Sequence, residues 1–222
     1  LGRCRGRNES KGNTLTRTWG ICISGFTQSE ATENGVLDLA EKLCRFRSPE
    51  TSVRYQRWCD DFAAVAEHIF AVTRNLRRES GDESFRPTIL IFAYSYGGGY
   101  GAVKLVSELC KRGLLVNAVV LSDPVWRLRL PLLGRFGRWI EALASPIALT
   151  IIGKVKFKAQ SIGSIDWFFQ RQNRPCGREP ICAGARILRG VQLQAVHAYM
   201  DDAPEFHAKC FEVAEKFCGG AN

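Results

Sequence analysis

Thr88-Ile89-Leu90-Ile91-Phe92-Ala93-Tyr94-Ser95-Tyr96-Gly97-Gly98-Gly99-Tyr100-Gly101-Ala102 decides how this chain is read. Thr88 to Ala93 is apolar after its first residue, which predicts a strand buried on both faces. Gly97 to Cys110 has helical spacing, with Gly113 placed as a stop signal. Ser95 therefore falls in a sharp strand-to-helix turn. Such a turn strains its central residue and admits only tiny residues two before and two after it, here Ala93 and Gly97. It lifts the serine oxygen clear of the sheet, at the positive end of the following helix. It also aims the Tyr96 N–H where an oxyanion would develop. Two other readings of the glycines are a plain packing turn and an anion-binding loop. The phosphate loop G-x-x-x-x-G-K-[ST] lacks its Lys-Ser/Thr end, the dinucleotide G-x-G-x-x-G is absent, and Tyr94 and Tyr96 would crowd a pyrophosphate.

Outward from this turn, apolar runs alternate with helical patterns, which predicts a mostly parallel sheet of about five to six strands with helices on both faces. Thr18 to Ser24 is a first buried strand ending at Gly25. Glu30 to Leu43 is helical, with Val36, Leu39, Ala40 and Leu43 on one stripe. Ser52 to Tyr55 is a short strand. Asp60 or Asp61 caps the next helix, marked by Phe62, Val65, Ala66, Ile69 and Val72. Leu115 to Leu121 is a strand that runs into Ser122-Asp123-Pro124. Strand-like residues return between Ala148 and Ala159, Gln170 to Gly184 is a long loop, and Ile187 to Val196 holds the last strand. Ala203 to Phe217 is the last helix, capped by Asp201 or Asp202.

A serine nucleophile needs a base, and the base an orienting acid. The chain has three histidines. His68 and His207 fall inside helices and read as hydrogen-bonded imidazoles. His197 lies between the last strand and the last helix, after the serine and the acid, the chain order that goes with a nucleophile elbow. For the acid, Asp123 ends the strand after the elbow and faces the same crevice as Ser95. The alternative acid is Asp166, placed after the following strand, but Ser-Ile-Asp-Trp also suits a helix cap. The second oxyanion donor is expected from Ser24-Gly25-Phe26-Thr27, with the Phe26 N–H as the choice and Thr27 as a source of a hydroxyl.

These residues resemble the α/β-hydrolase superfamily, and within it the small lipase- and cutinase-like serine hydrolases. The resemblance spans about Thr18 to Cys218 and rests on Ser24-Gly25-Phe26, Tyr94-Ser95-Tyr96-Gly97-Gly98, Leu121-Ser122-Asp123-Pro124 and His197. Leu-Ser-Asp-Pro looks like the acid motif of pancreatic-type lipases. The resemblance implies an enzyme that cleaves an ester or thioester of a small-molecule acyl substrate through an acyl-enzyme. Ser95, Asp123 and His197 would be the catalytic triad, and Phe26 and Tyr96 the oxyanion hole. No metal or organic cofactor is implied. The chain departs from the family pattern in having Ser24 where a His usually precedes the oxyanion glycine and Ala93 for the first elbow Gly. The two leading antiparallel strands of larger relatives are also missing.

With 222 residues, 45% of them hydrophobic, the chain can bury a core of its own, and global disorder is excluded. The formal charge of +9 is uneven. Residues 1–17 carry five Lys/Arg against one Glu and read as a basic flexible arm before a single domain, 18–222. Residues 124–190 carry twelve Lys/Arg against three Asp/Glu, and 124–147 reads as a cap-like insertion. There Arg127, Arg129, Arg135 and Arg138 alternate with large apolar groups, which suits either a crevice cover or an anionic membrane surface. A non-catalytic module binding an anionic ligand or surface through this block is the alternative to the enzyme. Nucleic acid is not the expected partner, and oligomeric state is not legible. The 9 cysteines show no C-x-x-C spacing, Cys176 and Cys182 being the one pair placed to bridge a loop. Without an apolar leader core in residues 1–17 or a membrane-length apolar run, the expected location is cytoplasmic.

Overall fold

The computed structural model describes residues 18–26, 28, 30, 34–45, 51–125, 154–158 and 160–218. The arm at 1–17 and nearly all of the insertion at 124–147 lie outside them. Eight strands are present among the described residues: β1 (Thr18–Ile23), β2 (Thr51–Gln56), β3 (Thr88–Tyr94), β4 (Val116–Ser122), β5 (Val155–Lys156), β6 (Ile162–Phe169), β7 (Pro180–Ile181) and β8 (Ile187–Gln192). Four α-helices accompany them: α1 (Gly35–Arg45), α2 (Phe62–Ser80), α3 (Ala102–Lys111) and α4 (Pro204–Cys218). Six strands form one parallel sheet in the order β2-β1-β3-β4-β6-β8, and β5 and β7 pair separately.

Alternation along β3 explains the two layers. Ile89, Ile91 and Ala93 point to one face, where Phe62, Ala66 and Ile69 of α2 and Leu105 and Leu109 of α3 cover them. Leu90, Phe92 and Tyr94 point to the other, against Val36, Leu39 and Leu43 of α1 and Phe206, Cys210 and Val213 of α4. Successive strand residues face opposite ways, so a strand covered on both sides must be apolar at every position. Each fully buried Ile, Leu or Phe here contributes about 1.5–3 kcal/mol, which makes β3 the anchor of the sheet. The register sets the elbow's height: Ala93 lies opposite Ile23 of β1 and Leu121 of β4, and Tyr94 opposite Ser122.

Local chemistry moves several expected boundaries. Helix α1 starts at Gly35, because Asn34 Oδ1 accepts the N–H groups of Val36 and Leu37 and caps it there. Asp61, rather than Asp60, caps α2 by accepting from Ala63 and Ala64. The helix after Ser95 opens as a π-helical turn over Gly97–Gly101 before α3 continues it. Asp166 does not cap a helix; it stands inside β6, opposite Val120 of β4 and Arg189 of β8. Gly163, Ser164 and Asp166 interrupt the apolar run of this strand and hide it from the sequence pattern. The long loop contains β7, and Cys176 and Cys182 are both free thiols. Asp201 turns its carboxylate away from α4, as described below. No helix among the described residues is long and apolar enough to cross a membrane.

Candidate active site

The carboxyl ends of β3, β4 and β8 bring Ser95, Asp123 and His197 together. Ser95 has a φ of 52° and Asp123 one of 42°. Both lie in the left-handed region that a side chain disfavours by about 1–2 kcal/mol, so tertiary contacts must hold each turn. At the elbow the constraint is visible in Gly97, where a Cβ would collide with the Ser24 carbonyl oxygen at the end of β1. Ser95 is almost fully buried, and its carbonyl accepts the Val125 N–H at 3.0 Å. That bond seats the Asp123-Pro124-Val125 segment beside the elbow.

Ser95 Oγ lies 2.8 Å from His197 Nε2, and His197 Nδ1 lies 2.6 Å from Asp123 Oδ2. A carboxylate only accepts, so the Nδ1–H donates to Asp123 and Nε2 offers its lone pair to the serine hydroxyl. Asp123 is 0% exposed. Its Oδ1 accepts from Gly177 N at 2.5 Å and Gln170 N at 3.3 Å, and its Oδ2 also accepts from Gln170 Nε2 at 3.1 Å. Four N–H donors on one buried carboxyl group satisfy its charge in the absence of solvent.

His197 is braced from two sides. Tyr94 stacks on the imidazole with ring centroids 5.2 Å apart, and its hydroxyl donates to the His197 carbonyl at 2.6 Å. Burial pushes the Tyr94 phenol up, helped by the nearby carboxylates Asp201 and Asp123, so it remains a donor. On the other side the His197 N–H donates to Asn173 Oδ1 at 2.9 Å. Asn173 is in turn held by Gln170, whose Oε1 accepts the Asn173 N–H at 3.0 Å. Gln170 Nε2 also donates to the carbonyls of Asn173 and Pro175. Gln170 and Asn173 thus clamp the Asp123 carboxylate and His197 to one loop. Nothing in their spacing marks them in the sequence, since both sit in a polar stretch without periodicity.

The remaining candidates fall elsewhere. Asp166 faces Arg189 at 3.5 Å and Lys209 at 4.0 Å. His68 contacts Arg54 and packs perpendicular to the Trp19 ring, and His207 bonds the Asp201 carbonyl. Gly25 packs on the elbow, where a Cβ would lie 3.2 Å from Ser95 Cβ, which puts Phe26 next to the serine. Phe26, 43% exposed, joins Trp58 and Tyr96 in an aromatic cluster, and Tyr96 stacks on Tyr100.

No protein-family model and no curated protein sequence matches the chain. Among solved structures it is similar to the RedJ thioesterase of the prodiginine pathway in Streptomyces coelicolor, at 12% identity and a TM-score of 0.47, covering 90% of this chain and 85% of that one. ClbQ of the colibactin NRPS/PKS pathway gives 12% identity and 0.45, with 91% and 98% covered. SrfTE, the thioesterase domain that cyclises surfactin, gives 15% and 0.43, with 89% and 90% covered. Likeness at that level leaves the substrate of this chain open. The parallel strand order, the left-handed serine between β3 and a helix, and the histidine after the last strand are features of the chain itself, and together they make this an α/β-hydrolase fold.

Proposed function

We propose that the chain is a serine hydrolase that cleaves a carboxylic ester or thioester. The observation that carries this reading is the chain of contacts from a strained serine, Ser95 Oγ to His197 Nε2 at 2.8 Å and His197 Nδ1 to Asp123 Oδ2 at 2.6 Å. A packing turn or an anion loop has no use for a left-handed serine aligned on a braced imidazole.

In this mechanism Ser95 Oγ attacks the substrate carbonyl while His197 Nε2 takes its proton. Asp123 stabilises the imidazolium and keeps Nε2 as the acceptor. The oxyanion accepts from the N–H groups of Phe26 and Tyr96. His197 then gives the proton to the leaving alkoxide or thiolate, which departs and leaves an acyl-enzyme on Ser95. Water, deprotonated by the same Nε2, then attacks the acyl carbonyl, the bond to Ser95 Oγ breaks to release the carboxylic acid, and Nε2 returns the proton to Ser95 Oγ. The exposed Phe26 ring, backed by Trp58 and Tyr96, supplies an apolar wall for the acyl or leaving group.

A fluorophosphonate probe tests the reading. The wild type should be labelled at Ser95 and Ser95→Ala should not. A folded wild type that resists labelling, and does not hydrolyse p-nitrophenyl esters, would leave the chain a binding module.

A further inference from the structure

The turn from Gly25 to Gln28 is closed twice. The Gln28 N–H donates to the Gly25 carbonyl at 3.3 Å, and the Gly25 N–H donates to Gln28 Oε1 at 2.8 Å. The other end of that side-chain amide, Nε2, donates to Asp201 Oδ2. An amide bonded this way is fixed in orientation. Flipped, it would set N–H against N–H at Gly25 and oxygen against carboxylate at Asp201. The Phe26 carbonyl is held as well, by the Trp58 indole N–H at 2.9 Å.

Asp201 lies four residues past His197 and is 2% exposed. Its Oδ2 also accepts the Gly35 N–H at 2.9 Å, while among the described residues Oδ1 has no hydrogen-bond partner. Helix α1 presses on this segment so closely that a Cβ at Gly35 would collide with Asp202 Oδ1 and the Asp201 carbonyl. The segment itself is anchored to the sheet, through Tyr94 on the His197 carbonyl and Ser122 Oγ on the Met200 carbonyl. Asp201 therefore stands on a rigid base that also carries His197, and Gln28 reaches from it to the turn that contains Phe26.

We propose that Gln28 and Asp201 are positioning residues that set the Phe26 N–H against Ser95, tying the oxyanion turn to the segment that bears His197. The proposal rests on the hydrolase reading above. A group that places an oxyanion donor acts on the transition state and little on substrate affinity, so its loss falls on kcat rather than KM. Deleting one donor outright costs 10²–10³-fold in kcat; misplacing it should cost about 10–100-fold.

The test uses steady-state kinetics on a soluble ester together with NMR exchange of the Gly25 amide. Gln28→Met keeps the length of the side chain and removes both bonds. It should lower kcat about 10–100-fold, hold KM within about threefold and speed Gly25 exchange. Asp201→Ala should do the same, whereas Asp201→Asn should stay within about threefold of wild type, because its carbonyl can accept both N–H groups while its amide fills the place of Oδ1. Wild-type kcat in Gln28→Met, unchanged Gly25 exchange, or equal damage from Asp201→Asn and Asp201→Ala would each overturn the proposal. If Asp201→Ala fails to fold, Gln28→Met decides. A wild type that neither labels nor turns over removes the hydrolase reading by itself, and Gly25 exchange in Gln28→Met still decides whether the pair fixes the turn.

Discussion

Asp123→Asn is the substitution that most directly probes the site, because it changes one atom and almost no volume. The structure fixes which atom changes. Oδ1 receives the N–H groups of Gly177 and Gln170, so an amide nitrogen there would face two backbone donors. The new nitrogen must instead take the Oδ2 position, facing His197 Nδ1 and Gln170 Nε2. Gln170 cannot turn its oxygen toward it without giving up the Asn173 and Pro175 carbonyls. The imidazole can respond, by accepting at Nδ1 and carrying its proton on Nε2. That tautomer points N–H at Ser95 Oγ and cannot take the hydroxyl proton. The expected loss in kcat is about 10⁴-fold. Folding should lose only about 1–3 kcal/mol, because the new amide N–H groups would face Gln170 Nε2, which still donates to the Asn173 and Pro175 carbonyls. Steady-state hydrolysis of a p-nitrophenyl ester measures the first, and urea unfolding the second. Asp166→Asn is the control: its buried carboxylate lies in β6 beside Arg189 and Lys209, away from Ser95, so turnover should stay within about twofold, with about 1–3 kcal/mol lost in stability. An Asp123→Asn enzyme within tenfold of wild type, or an Asp166→Asn enzyme that is crippled, would refute this account of the acid.

Ser95→Ala should lower turnover by at least about 10³-fold, and Ser95→Gly should be equally inactive. At a φ of 52° the glycine variant should nevertheless unfold at higher urea than the alanine variant, by about 1 kcal/mol; the reverse order would deny the strain at the elbow. Gln170→Leu removes a buried side chain bonded to Asp123, Asn173 and Pro175, and should cost about 3 kcal/mol in urea unfolding. Its kcat should fall about tenfold or more as His197 loosens, and unchanged kcat would show that the clamp is idle. For the basic insertion at 124–147, which from residue 126 on lies outside the described structure, changing Arg127, Arg129, Arg135 and Arg138 to Gln should weaken binding to anionic vesicles by about 1 kcal/mol per group if the segment meets a membrane. Sedimentation that shows no anionic preference in the wild type retires that idea.

The sequence alone determined the parallel α/β architecture and singled out the three residues on which the proposed mechanism rests. Apolarity from Ile89 to Ala93 predicted a strand covered on both faces, and small residues at 93 and 97 around a serine favoured an elbow over a packing turn or an anion loop. His197, read from its place between the last strand and last helix, and Asp123, read from its place at a strand end, do lie within hydrogen-bonding distance of each other, with Ser95 next to the imidazole. These are local signals, carried by periodicity and by the steric demands of a turn. Where the pattern broke, so did legibility: β6 went unread across Gly163, Ser164 and Asp166, and with it the true setting of Asp166. Tertiary structure decided everything that depends on side chains distant in sequence. Gln170 and Asn173 clamp Asp123 and His197, Tyr94 stacks on the imidazole, and Asp201 leaves the helix beside it to hold Gln28 and Gly35, 173 and 166 positions away. A polar residue in a loop has no periodicity to announce its partner. Its bond is set by which strand ends the sheet order brings side by side, and that order exists only once the chain has folded.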